Sequence, residues 1–277
     1  MASPPPGASW VDGRIVPGER GTVGSDDSAW REGRGCYTAV RVARGVPRFA
    51  GRHAARLRRD ARALRLGDLP EALALQALLE LAAAAFPQGE GILRFQVSQG
   101  CEGTPRLVGV PIPLGEGPDP GGLAREARSW SALVAPFPHE GPRPWSGCKV
   151  TSRLLFALAA DAARAEGADE ALLFDRQGRL VEGARSNLFV VGRDGALSTP
   201  PLERGAVAGI AREVVMERLP QVLERDTTQA QVREAEELIA VNAVRGAHAI
   251  ASVDGRTVGP GNPSRWLGLI ARALASD

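Results

Sequence analysis

Strand-length and helix-length apolar runs follow one another along this chain in blocks, without regular alternation. A doubly wound parallel sheet needs a helix between successive strands, so this order predicts an α+β fold instead. The first block reads as short strands and turns, SWVDGRIV and then CYTAVRVARGVPRF, with Gly45 and Pro47 marking a turn. HAARLRRDARALRL and PEALALQALLELAAAAF then repeat apolar residues at helical spacing, with Pro70 suited to a helix start. GILRFQVSQG and PRLVGVPIPL return to strand character. Residues 115–122, GEGPDPGG, are dense in Pro and Gly, which sets a domain over 1–114, a linker over 115–122 and a second domain over 123–277. The second block opens with the strand SWSALVAP, a Pro-rich loop and a helix over TSRLLFALAADAARAEG that Gly167 ends. Strands over EALLFD, RLVEG, NLFVV and ALSTP follow, then a helix over GIAREVVMERL and strands over EELIAVNAV and AIASVDGRTV.

The 277 residues allow one large core or two smaller ones. A net charge of +2, with arginines scattered among acidic residues, gives no basic patch for nucleic acid. The most apolar helix carries Gln76 and Glu80, so no segment has the character of a membrane span. MASPPPGASW has neither a basic patch nor an apolar run, which points away from a signal peptide and toward a cytoplasmic protein. Cys36, Cys101 and Cys148 are far apart, with no CxxC pair or neighbouring His, as expected of reduced thiols and not of a metal site.

Lys149 is the only lysine in the chain. A lone lysine is most often a solvated charge. Held between a Pro-rich loop and a helix start, it is also a candidate nucleophile, because a fixed place and the dipole of a helix N-terminus favour its neutral amine. Glu182, in RLVEGARSNLFVV, sits among apolar residues and needs a partner, since an unpaired buried carboxylate is costly. That partner is either an arginine or the protonated nitrogen of a heterocyclic cofactor. ERGAVAGIAREVV leads a glycine-bearing loop into a helix whose first N–H groups, near Gly209, Ile210 and Ala211, suit a phosphate. Arg56 in RHAARL is placed to meet an anion or to lie on the surface.

Taken in order, GRHAARL, Lys149 ahead of a helix, GADEALLFDRQGRLVEGARSNLFVV, STPPLERGAVAGIAREVV and VNAVRGAHAIASVDG resemble the fold-type IV (class IV) pyridoxal phosphate enzymes. That family includes branched-chain and D-amino-acid aminotransferases, R-selective amine transaminases and aminodeoxychorismate lyase. The resemblance implies a small N-terminal α+β domain, a larger C-terminal domain with a barrel-like sheet, and the cofactor, pyridoxal 5'-phosphate, between them. It also implies a homodimer. Lys149 matches the lysine that holds the cofactor as a Schiff base and shuttles the proton, and Glu182 the carboxylate on the pyridine nitrogen. Arg56 matches the phosphate-binding arginine, Gly209, Ile210 and Ala211 the phosphate-binding helix start, Val207 a residue packed on the ring, and Asn242 with Ala243 a further cofactor contact. Ala211 and Ala243 stand where a Thr or Ser is common, and Arg34 where an aspartate is common.

Within the family the resemblance divides. Tyr37 is similar to the tyrosine of D-amino-acid and R-amine transaminases, and Ala39 replaces a threonine usual in the lyases. TSRLL and NAVRG resemble the lyase, and RFQVSQG lacks the arginine and histidine pair with which many D-amino-acid transaminases hold the substrate carboxylate. Arg41 and Arg153 are alternatives for that role. The expectation is an aminotransferase acting between a D-amino acid or primary R-amine and a 2-oxo acid. The alternative is a lyase releasing pyruvate from aminodeoxychorismate.

Overall fold

The computed structural model describes residues 8–17, 24–100, 103–114, 129–259 and 265–275. The linker expected at 115–122, and Cys101, lie outside the described residues. The chain forms two compact units: Met1–Leu123 with Cys148–Ser152, and Ala124–Gly147 with Arg153–Asp277. The segment bearing Lys149 therefore belongs to the first unit, where a single boundary at the linker would not put it.

The first unit contains β1 (Ala8–Val11), β2 (Arg14–Pro17), α1 (Ser28–Glu32), β3 (Cys36–Ala43), β4 (Val46–Pro47), α2 (Ala50–Ala63), α3 (Glu71–Ala85), β5 (Gly91–Gln99) and β6 (Pro105–Pro113). Its sheet runs β2-β1-β6-β5-β3-β4, antiparallel throughout. Alternation sorts the side chains of its long strands. Val40 and Val42 of β3 and Leu93, Phe95 and Val97 of β5 share a core with Ala54, Leu57 and Ala61 of α2 and Leu78 and Leu81 of α3. The intervening residues of the same strands, Tyr37 and Arg94 among them, take the opposite face.

In the second unit come β7 (Trp130–Val134), α4 (Leu154–Ala165), β8 (Glu170–Phe174), β9 (Leu180–Gly183), β10 (Asn187–Val191) and β11 (Leu197–Thr199). They are followed by α5 (Ile210–Arg218), β12 (Leu223–Glu224), α6 (Gln229–Arg233), β13 (Glu237–Asn242), β14 (Gly246–Val253), β15 (Arg256–Thr257) and α7 (Arg265–Ala275). The sheet order is β12-β11-β10-β13-β14-β7-β8-β9, with β15 beside β14. The short link Ala184–Ser186 carries the chain from β9 at one end of that order back to β10 near the other, so the sheet curls on itself. Strands β8, β9 and β10 are buried along their whole length, as runs covered on both faces must be. The architecture is a mixed α+β arrangement with two curled half-barrel sheets, in line with the α+β fold read from the order of elements and the barrel-like sheet that the resemblance implies for the second domain.

Two details differ from the sequence reading. The helix expected from Thr151 starts at Leu154, because Thr151 Oγ1 and Ser152 Oγ are spent on the Gly33 carbonyl at 2.9 and 2.8 Å. Lys149 thus lies outside the first turn of α4, and the dipole effect argued for it, which fades within one turn, loses its basis. Helix α7 was not expected. Its buried Trp266, Ile270, Ala273 and Leu274 form one stripe.

Candidate active site

Lys149 is tied into the first unit through its main chain. Its N–H donates to Asp60 Oδ2 at 2.9 Å, its carbonyl accepts from Tyr37 N at 2.9 Å, and Thr151 N donates to Gly35 O at 2.9 Å. Cys36 and Val150 form an antiparallel bridge, so the segment runs alongside the start of β3. The side chain then reaches the face of the sheet that carries Tyr37, and Lys149 Nζ lies 4.9 Å from the centre of that ring. The chain has one lysine and one tyrosine, and the fold brings them together. Arg94 also packs its guanidinium on Tyr37, 4.1 Å from the ring centre.

On α2, Arg56 is buried, and a guanidinium in that position needs an anion. Its Nη2 donates to Thr38 Oγ1, and Thr38 in turn lies 2.5 Å from His53 Nδ1. Arg56 Nε is buried with no hydrogen-bond partner. Burial lowers the Arg56 pKa to about 10, so the group stays cationic at neutral pH. Burial and the charges of Arg56 and Lys149 hold His53 well below the usual imidazole range, hence neutral. A buried cation with an unused donor fits the phosphate of a cofactor.

Glu182 of β9, in the second unit, is buried, 3% exposed. Both its carboxylate oxygens accept from Val207 N, at 3.1 and 3.2 Å, and His139 Nε2 lies 3.9 Å from Oε1. Burial, and then the charge of Arg143, lower the pKa of His139. Val207 opens the approach to α5, where Ile210 and Ala211 are buried and the preceding Gly209 makes no side-chain cap. The first N–H groups of α5 are the donors that such a helix start offers to an anion. Asn242 spends its Oδ1 on Val244 N and Arg245 N at 3.1 and 2.8 Å, closing the β13–β14 turn that carries Ala243. Arg41 pairs with Glu90 at 2.6 Å, and Arg153 is the N-cap residue of α4.

Gly209 is required by its surroundings. A Cβ there would lie 2.0 Å from Asn187 Oδ1, and Asn187 Nδ2 donates to Val207 O at 3.0 Å. Gly209→Ala should therefore push Asn187 off the Val207 loop and lower stability by about 1–3 kcal/mol, as overpacking does. Denaturant unfolding measures this. Asn187→Ser in the same background should recover part of the loss, and purely additive effects would count against the clash.

An amine able to hold a carbonyl, a buried guanidinium with a donor to spare and a buried carboxylate are the equipment of a pyridoxal phosphate enzyme. Residues 35–253 match the family model described as amino-transferase class IV. D-alanine aminotransferase of Listeria monocytogenes is 28% identical over 263 residues, 91% of this chain and 89% of that protein. The branched-chain aminotransferase of Thermoproteus uzoniensis, solved with norvaline, is 25% identical with a TM-score of 0.83, covering 96% of this chain and 93% of that one. The 4-amino-4-deoxychorismate lyase of Pseudomonas aeruginosa is 28% identical with a TM-score of 0.79, covering 94% and 96%. This chain belongs to the class IV aminotransferase family, and its cofactor is pyridoxal 5'-phosphate.

His139, Asp60 and Arg94 did not stand out in the sequence. For Asp60 a signal existed: His53, Arg56 and Asp60 recur at spacings of three and four on the buried side of α2.

Proposed function

We propose that this enzyme moves an amino group from a carboxylate-bearing amine, a D-amino acid foremost, to a 2-oxo acid, with a primary R-amine as the alternative donor. The observation that carries this reading is the grouping of Lys149 Nζ and the Arg94 guanidinium on the Tyr37 ring, at 4.9 and 4.1 Å. When bound, pyridoxal phosphate supplies a carbonyl for an amine to attack and an electron-withdrawing ring. Lys149 Nζ takes the proton from the donor's α carbon as the base. Glu182 keeps a proton on the ring nitrogen. Arg56 and the N–H groups of Ile210 and Ala211 bind the phosphate, Val207 packs on the ring, and Asn242 and Ala243 keep a supporting turn in place. Tyr37 orients the donor and Arg94, whose guanidinium packs on the Tyr37 ring at 4.1 Å, takes its carboxylate. Buried thiols at Cys36 and Cys148 support a cytoplasmic setting, and the family pattern supports a homodimer.

A half-reaction panel tests the assignment. The loaded enzyme mixed with D-alanine should convert its visible absorbance to that of the amino form of the cofactor, and Arg94→Ala should raise KM for the amino acid. Conversion by L-leucine alone would replace the D-amino acid with a branched-chain donor. The likeness to the Pseudomonas aeruginosa lyase favours a second reading, release of pyruvate from aminodeoxychorismate. Turnover of that compound, with absorbance unchanged by every amino acid, would establish it.

A further inference from the structure

Asp60 is an acidic side chain only 1% exposed, on the same side of α2 as Arg56 and one turn further along. Its Oδ1 accepts from Arg59 Nε and Nη2 at 3.0 and 2.8 Å, and burial followed by the charge of Asp60 pushes the Cys148 thiol up to about 11. Its Oδ2 accepts the Lys149 peptide N–H at 2.9 Å. The Lys149 carbonyl accepts from Tyr37 N at 2.9 Å, so both polar groups of the lysine's main chain are fixed, one of them by a buried anion. A charge-assisted hydrogen bond in a buried site is among the stronger restraints a side chain can place on a peptide unit.

We propose that Asp60 is a positioning residue for Lys149, holding the lysine's peptide unit from the helix that carries Arg56, so that one rigid element sets both the amine and the phosphate grip. This rests on the reading of Lys149 as the cofactor lysine. Removing the carboxylate takes away the acceptor of the Lys149 N–H and leaves its carbonyl bonded to Tyr37 N. The cost then falls first on attachment at the amine, where a direct hydrogen bond is lost, whereas Asp60 acts on Arg56 as a neighbouring charge.

The sole lysine makes the test direct, because labelling the full chain with ¹⁵N-lysine gives one backbone amide resonance, that of Lys149. In the wild type this amide should exchange slowly. In Asp60→Ala it should exchange at least about tenfold faster, as expected when a hydrogen bond to a charged group is lost. Affinities for pyridoxal phosphate and for pyridoxal, which lacks the phosphate, should weaken together by about tenfold. Arg56→Ala should instead weaken pyridoxal phosphate alone. Asp60→Asn keeps an oxygen for the Lys149 N–H while Arg59, half exposed, turns to solvent, so it should recover most of both affinities. The proposal is overturned by an unchanged Lys149 exchange rate in Asp60→Ala, by a loss confined to pyridoxal phosphate, or by an Asn variant no better than Ala. If the Ala variant does not fold, an unprotected Lys149 amide in the wild type overturns it equally. Failure of the wild type to attach either aldehyde at Lys149 would sink the cofactor reading, while the amide measurement would still decide the Asp60 contact.

Discussion

Borohydride reduction of the loaded enzyme should fix the cofactor to the chain at Lys149, and Lys149→Ala should lose both the reducible visible band and turnover. No other lysine can substitute, and Nζ is placed beside Tyr37 by a main chain anchored at both of its polar groups. A positioned proton-transfer group contributes roughly 10²–10⁴-fold, and this one also attaches the cofactor, so turnover should fall by at least about 10⁴-fold. A small primary amine added at high concentration should restore part of the proton transfer. Peptide mapping of the reduced protein, together with steady-state rates, checks both points. A Lys149→Ala enzyme that keeps its band and its rate would remove the basis for the mechanism.

The sheets could be read from the sequence because their burial follows simple periodicities. Strands β3 and β5 alternate core and opposite-face residues, and β8 and β10 are continuous apolar runs. Helices α1 and α6, of 5 residues each, are too short for a period to show. Helix α7 differs: its apolar stripe is present in SRWLGLIARALA, but the Gly and Pro residues just before it break the pattern from which a helix start is read. The start of α4 escaped because Thr151 and Ser152 suit a helix start in isolation and are diverted by a carbonyl over a hundred residues earlier, that of Gly33.

Within the site, Lys149 stood out by its rarity and Glu182 by its apolar flanks, both local properties. Arg56 stood out only through the ordered set of motifs. Arg94 is one arginine in a chain full of them, and its meeting with Tyr37 depends on the β3–β5 register, in which Ala39 lies opposite Arg94 and Tyr37 opposite Gln96. His139 lies in a Pro-rich loop whose path no periodicity describes. It comes near Glu182 because its own N–H donates to Phe174 O at 2.7 Å, beside the strand that pairs with β9. Contacts that depend on pairing between distant segments are absent from a one-dimensional pattern.

Glu182→Gln should leave the fold close to wild type and still remove most of the rate, even at saturating cofactor. The amide keeps the size of the carboxylate and an oxygen for Val207 N, which both carboxylate oxygens now accept at 3.1 and 3.2 Å. It lacks the charge. His139 does not supply a competing cation at neutral pH: Gly141 N donates to its Nδ1 at 3.1 Å, placing the proton on Nε2 toward Glu182, and burial lowers its pKa. A protonated ring nitrogen set against this carboxylate would be paired with its charge, which is how an acidic residue tunes this cofactor. Breaking a buried ion pair by neutralising one partner costs about 3–5 kcal/mol. At 1.36 kcal/mol per tenfold this corresponds to a fall in kcat/KM of roughly 10²- to 10⁴-fold. Steady-state kinetics at saturating cofactor, with thermal unfolding as the control for folding, measures it. A Gln enzyme within about threefold of the wild-type kcat/KM, far inside that range, would show that the carboxylate at 182 serves Val207 and not the ring.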